Sequence, residues 1–88
     1  MANDTITVLL SNGKEIIYPA TALGDRASDL WADLRRREIH TASRFVDFAI
    51  RLGNAEKAFR YAHLAAQAGR ALLAIERTQR MRARRTAQ

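Results

Sequence analysis

The chain is 88 residues long, which allows one domain and leaves no room for a second hydrophobic core. It contains no cysteine, which excludes disulfide bonds, thiolate metal sites and cysteine nucleophiles. Its net charge of +6 is uneven: residues 1–34 carry two cations and five anions, whereas residues 35–88 carry thirteen cations and four anions. This polarity predicts a polyanionic partner, an acidic protein surface, or ion pairing between the two halves of the chain.

Residues 5–18 carry the pattern of a β-hairpin. Two apolar, β-branched runs flank the segment from Ser11 to Lys14, which contains Asn-Gly, the strongest short signal for a two-residue turn. That turn places Val8 opposite Ile17. It leaves apolar side chains on both faces of the hairpin, so we expect helices to cover more than one side of it.

Three helices are predicted after the hairpin. Apolar spacing indicates helices over about 25–37, 41–52 and 54–76, with a break at 38–40 and a tight turn at Gly53. The second helix is expected to direct the following residues inward: Phe45, Phe48, Ala49 and Leu52. The predicted fold class is therefore α-dominated α+β, with an N-terminal β-hairpin, two short helices and one long C-terminal helix in a single small domain over 1–76.

The last helix is apolar where it begins and basic where it ends. Small or apolar residues recur on one face at helical spacing, and we predict that they form the self-association surface of a homodimer. These residues are Ala58, Tyr61, Ala65, Ala68, Leu72 and Ile75. The apolar stripe ends at Ile75, and residues 77–88 are predicted to form an arginine-rich helical extension or tail.

Few residues are placed for catalysis or ligand binding. The two histidines have no second histidine or carboxylate at ligand or relay spacing, and the four glycines are scattered singly, which excludes a phosphate-binding loop. The aspartates Asp25, Asp29 and Asp33 lie at four-residue spacing, but one helix face does not supply the converging oxygens that a hard cation requires. We therefore expect a non-enzymatic protein with no cofactor, no metal ion and no small-molecule substrate.

Nothing in the sequence indicates a membrane. The N-terminal residues 1–4 lack the basic start and apolar run of a secretory signal, and no apolar stretch approaches the roughly 18 residues of a membrane span. These features predict a cytoplasmic protein.

Arginine density indicates the function. The predicted binding surface comprises Arg77, Arg80, Arg82, Arg84 and Arg85, together with Arg35, Arg36 and Arg37. Arginine forks suit phosphate groups, whereas side chains that read bases are scarce beside them, so binding to a nucleic-acid backbone is the first hypothesis. The alternative is a protein-binding inhibitor or adaptor that occupies an acidic surface of a larger assembly. Either hypothesis requires the arginines at 77–85 to remain unpaired with Asp25, Asp29 and Asp33.

Overall fold

The computed structural model describes residues 5–19 and 25–87. Its elements are β1 (Thr5–Leu9), β2 (Glu15–Pro19), α1 (Asp29–Arg51) and α2 (Ala55–Ala87). The α-dominated α+β class and the long C-terminal helix are confirmed. Two helices follow the hairpin, however, where three were predicted.

The predicted helix break at 38–40 is wrong. Residues 38–40 lie inside α1, which runs for 23 residues. They include neither glycine nor proline, so the backbone has no reason to leave the helix there. The helix begins at Asp29 rather than at 25, because the Ser28 hydroxyl caps it by accepting a hydrogen bond from the Trp31 amide at 3.3 Å.

The β-hairpin is confirmed, but its turn is one residue longer than predicted. The Leu10 amide donates to the Lys14 carbonyl at 2.8 Å, and the Gly13 amide donates to the Leu10 carbonyl at 2.9 Å. Gly13 has φ +87°, which fits a three-residue loop that ends with a left-handed residue. An added Cβ at Gly13 would approach the Phe45 ring to 3.2 Å, so this turn also contacts α1 closely.

The longer loop shifts the strand register by one residue. Val8 lies opposite Ile16 rather than Ile17, and Ile6 lies opposite Tyr18. Ile6, Val8, Ile16 and Tyr18 therefore lie on one face of the hairpin, where Ile6 and Tyr18 pack against the core that contains Val8. The opposite face carries Leu9, which is also buried. The side chain of Ile17 is on the opposite face and is 65% exposed.

The core lies where the hairpin, the start of α1 and the second half of α2 meet. Its buried members are Val8, Ala27, Trp31, Ala32 and Ile75. Trp31 is the largest fully buried side chain, and the Tyr18 ring packs against it edge to face with centroids 6.4 Å apart.

The two helices form an antiparallel hairpin joined by a tight turn. Gly53 has φ +72°, and the Asn54 amide donates to the Ala49 carbonyl at 2.8 Å. The Asn54 side chain then accepts from the Lys57 amide at 3.0 Å and caps α2. Ala42, Ala49 and Ala68 are buried, so small side chains let the helices approach closely.

Candidate nucleic-acid interface

The stripe predicted for self-association packs against α1 of the same chain. Ala68 and Ile75 are buried, and the Tyr61 ring stacks on Phe45 with centroids 5.1 Å apart. Its other members, Ala58, Ala65 and Leu72, are partly buried. This stripe is therefore not free to bind a second copy of the chain.

Arg35 is part of the interior. Its guanidinium lies 2.7 Å from the Glu38 carboxylate, donates to the Thr7 carbonyl at 3.3 Å and stacks on the Trp31 ring at 5.7 Å. The second carboxylate oxygen of Glu38 accepts from the Leu9 amide at 2.9 Å. Glu38 is only 3% exposed, and its negative charge is neutralised by Arg35. Together the two side chains supply hydrogen-bond partners for the Thr7 carbonyl and the Leu9 amide on the outer edge of β1.

The neighbouring arginines also have carboxylate partners. Arg36 lies 3.4 Å from Glu76 on α2, and Arg37 lies 2.9 Å from Asp33 one turn earlier on α1. Both pairs are exposed. The predicted patch at Arg35, Arg36 and Arg37 is therefore balanced by three carboxylates rather than left as free positive charge.

Arg82 points back toward the start of α1. It forms an ion pair with Asp25, and the Arg82 guanidinium together with the Ala27 amide holds the pKa of the Asp25 carboxyl below its usual value. One turn earlier, Gln79 donates to the Asp29 carboxylate and to the Ala27 carbonyl, each at 2.9 Å. These contacts fasten the end of α2 to the chain that precedes α1.

The remaining arginines near the end of α2 are exposed. We call Arg77, Arg80, Arg84 and Arg85 the terminal arginines. Within residues 5–19 and 25–87, none of them lies within 4.0 Å of a carboxylate oxygen. The first three follow one helical face over about 10 Å, at 1.5 Å per residue. Every residue from 81 to 86 is exposed, and within the described residues the last hydrogen bond or ion pair from α2 to another part of the chain is that of Arg82 with Asp25.

A groove between the hairpin turn and α1 was missed at the sequence level. It has a volume of about 420 Å³ and is lined by Ser11, Thr41, Arg44, Phe45, Asp47, Phe48 and Arg51. Phe48 and Leu52, both predicted to face inward, are 60% and 69% exposed. Trp31, Ala42 and Ala49 lie on the buried face of α1. Phe48 lies on another face of the helix and therefore points away from the core.

The described parts of the chain contain no group of three histidine, aspartate or glutamate side chains placed to share a metal ion. Neither helix has an apolar stretch long enough to cross a bilayer.

No protein-family model matches the chain, and neither a curated protein nor a solved structure shows significant similarity to it. Its function is therefore inferred from its own side chains.

Proposed function

We propose that the protein is a small non-enzymatic regulator that binds the phosphate backbone of nucleic acid through the terminal arginines of α2. The observation that carries this proposal is the exposure of four guanidinium groups, unpaired within the described residues, in the last three turns of α2. A helix about 10–12 Å across fits a major groove about 12 Å wide. Arginine forks on such a helix neutralise phosphates and release condensed counterions.

The pairing of several other arginines narrows the proposed contact surface. Arg36, Arg37, Arg60 and Arg82 each lie beside a carboxylate, and a phosphate would have to compete with that partner. The terminal arginines exchange only water and counterions for phosphate. Arg82 and the group at Arg35, Arg36 and Arg37 therefore lie outside the proposed contact surface.

Two variants of equal net charge test the proposal. The first, R77Q/R80Q/R84Q/R85Q, removes the terminal arginines, and the matched control, R36Q/R37Q/R60Q/R82Q, removes four paired ones. Affinity for a fluorescent duplex is measured by anisotropy as a function of salt concentration. We expect the slope of log K against log[salt] to lose about 3 units in the first variant and less than about 1 in the control.

Two outcomes contradict the proposal. One is a wild-type protein that binds neither DNA nor RNA at about 50 mM salt, where phosphate contacts are strongest. The other is an equal loss of slope in both variants, which would assign binding to net charge rather than to the terminal arginines. Circular dichroism establishes that both variants keep their helices.

The groove beside Phe48 favours a second candidate function, an inhibitor or adaptor that binds an acidic protein surface. An exposed phenyl ring lies between Arg44 and Arg51, and aromatic and arginine side chains dominate the energetics of protein interfaces. Capture from nuclease-treated lysate tests it. A partner that is lost with F48S but kept with the terminal-arginine variant supports this candidate, whereas a partner kept with F48S eliminates it.

A further inference from the structure

The side of α2 that faces away from α1 carries apolar residues that none of the described residues covers. Phe59 is 80% exposed and Leu73 is 65% exposed, and the exposed Ala62 and Ala66 lie between them. Their spacing of three, four and seven residues places all four on one helical face. With Gly69, these residues form what we call the outer stripe.

Gly69 is not required by packing within the chain. It lies in the middle of α2, where glycine weakens a helix relative to alanine. An added Cβ would meet no atom within 4 Å. A glycine beside Ala62 and Ala66 would, however, allow the backbone of another helix to approach closely.

The charges flanking the outer stripe determine how two copies can pair. Glu56 precedes the stripe and has no cation within 4.0 Å among the described residues, whereas Arg70 lies near the end of the stripe and Arg77 and Arg80 follow it. A parallel pair of α2 helices would place each arginine beside the same arginine of the second copy, and these like charges repel each other. An antiparallel pair places the acidic start of one helix beside the basic end of the other.

Residue spacing gives such a pair a definite centre. Phe59 and Leu73 lie seven residues before and seven residues after Ala66. Glu56 lies ten residues before it, and Arg77 eleven residues after it. A two-fold axis at Ala66 therefore brings Phe59 of each copy against Leu73 of the other and Glu56 close to Arg77.

We propose that the outer stripe binds the outer stripe of a second copy in antiparallel orientation, with the two-fold axis at Ala66. The homodimer has two helical hairpins back to back, with each α1 on the outside. At 1.5 Å per residue, the two Arg84 side chains lie about 54 Å apart at opposite ends. This interaction does not depend on the proposed nucleic-acid binding, although it gives Arg77 a carboxylate partner and leaves Arg80, Arg84 and Arg85 as the phosphate contacts of the dimer.

Engineered cysteines test the centre of the interface, because the chain has none of its own. Under mild oxidation at tens of micromolar, A66C is expected to form a disulfide-linked dimer, since residues on the axis come within bonding distance. The matched control is Q67C, an exposed position that points about 100° away on the helix. We expect at least tenfold slower cross-linking for Q67C.

A mixture of F59C and L73C tests the orientation. The mixture is expected to form the heterologous disulfide, whereas F59C alone is not, because two copies of position 59 lie about 21 Å apart across the axis. Self-cross-linking of F59C would indicate a parallel pair and overturn the proposal. Equal cross-linking of A66C and Q67C would do the same.

Charge exchange provides a test that needs no cysteine. E56R and R77E, measured singly by sedimentation equilibrium without nucleic acid, are each expected to weaken dimerisation about tenfold, and E56R/R77E is expected to restore it. A wild-type protein that sediments as a monomer at about 100 µM removes the proposal. All six substituted positions are exposed, so unchanged helical circular dichroism separates lost association from lost folding.

Discussion

The two arginine groups of this protein are similar in sequence and different in their surroundings. Residues 35–37 each have a carboxylate partner, whereas the terminal arginines have none within the described residues. The first group lies where α1 contacts β1 and α2, and the second lies in the last three turns of α2, where its side chains are exposed. Local arginine density therefore does not determine which cations are available to a partner. The position of the nearest carboxylate determines whether an arginine is paired within the chain or is exposed without a counter-ion.

The largest expected effect comes from Glu38→Ala, which removes the carboxylate that keeps Arg35 in the interior. The variant leaves a guanidinium that is 13% exposed without its counter-ion and leaves the Leu9 amide without its acceptor. We expect the free energy of unfolding to fall by about 3 kcal/mol, measured by urea denaturation. Asp33→Ala, at an exposed pair on the same helix, is the control. A loss below about 1 kcal/mol in Glu38→Ala would contradict the structural role of this pair.

A smaller loss is expected from Arg35→Lys, which keeps the charge but removes the planar fork. An ammonium group does not reproduce the stacking on Trp31 together with the contacts to Thr7 and Glu38. We expect a loss of about 1 kcal/mol in the same denaturation experiment. Arg84→Lys should leave the stability unchanged, because its guanidinium contacts no carboxylate in the described parts of the chain. Equal losses of unfolding free energy at positions 35 and 84 would contradict the distinction between Arg35, which supports the fold, and the terminal arginines, which do not.

The Asp25–Arg82 pair predicts a dependence on pH. Since the pKa of Asp25 is lowered in the folded protein, its contribution to stability is fully present above its unfolded value of about 4 and is lost as pH falls through the folded pKa. Wild type should therefore lose stability below pH 4 more steeply than Asp25→Asn, which lacks this titration. Thermal unfolding of both proteins from pH 2 to pH 6 measures the difference. Parallel curves over this range would contradict the pairing.

The smallest effect is expected at the exposed pair of Arg37 and Asp33. Arg37→Ala should cost less than about 0.5 kcal/mol, because solvent screens an exposed i,i+4 pair. A double-mutant cycle with Asp33→Ala measures the coupling directly. A coupling above about 1 kcal/mol would mean that this pair, like Arg35 and Glu38, supports the fold.

Local patterns predicted the elements that depend on local chemistry. Asn-Gly between β-branched runs indicated the hairpin, and Gly53-Asn54 indicated the turn between the helices. The loop length was not decided by these signals, because two-residue and three-residue loops both favour glycine after asparagine. The one-residue difference in loop length is seen only in the structure, where Val8 lies opposite Ile16 rather than Ile17.

Contacts between distant residues were beyond the reach of the sequence. Glu38 appeared to be a helix break, but it is buried because it accepts a hydrogen bond from Leu9, 29 residues away. The pairing of Arg82 with Asp25 spans 57 residues, so only the fold reveals which arginine of 77–85 is neutralised. The contact of Arg37 with Asp33 is local, and their four-residue spacing on one helix is a signal that could have predicted it.

The side chains on the outer edge of β1 also bear on aggregation. An extended peptide adding to this edge would need the Thr7 carbonyl and the Leu9 amide, which Arg35 and Glu38 already occupy. Such a peptide would have to displace a buried ion pair to form these two backbone bonds. Fibril growth requires a strand that can accept a neighbour on both sides. The hairpin is thus protected on its β1 side from templated assembly.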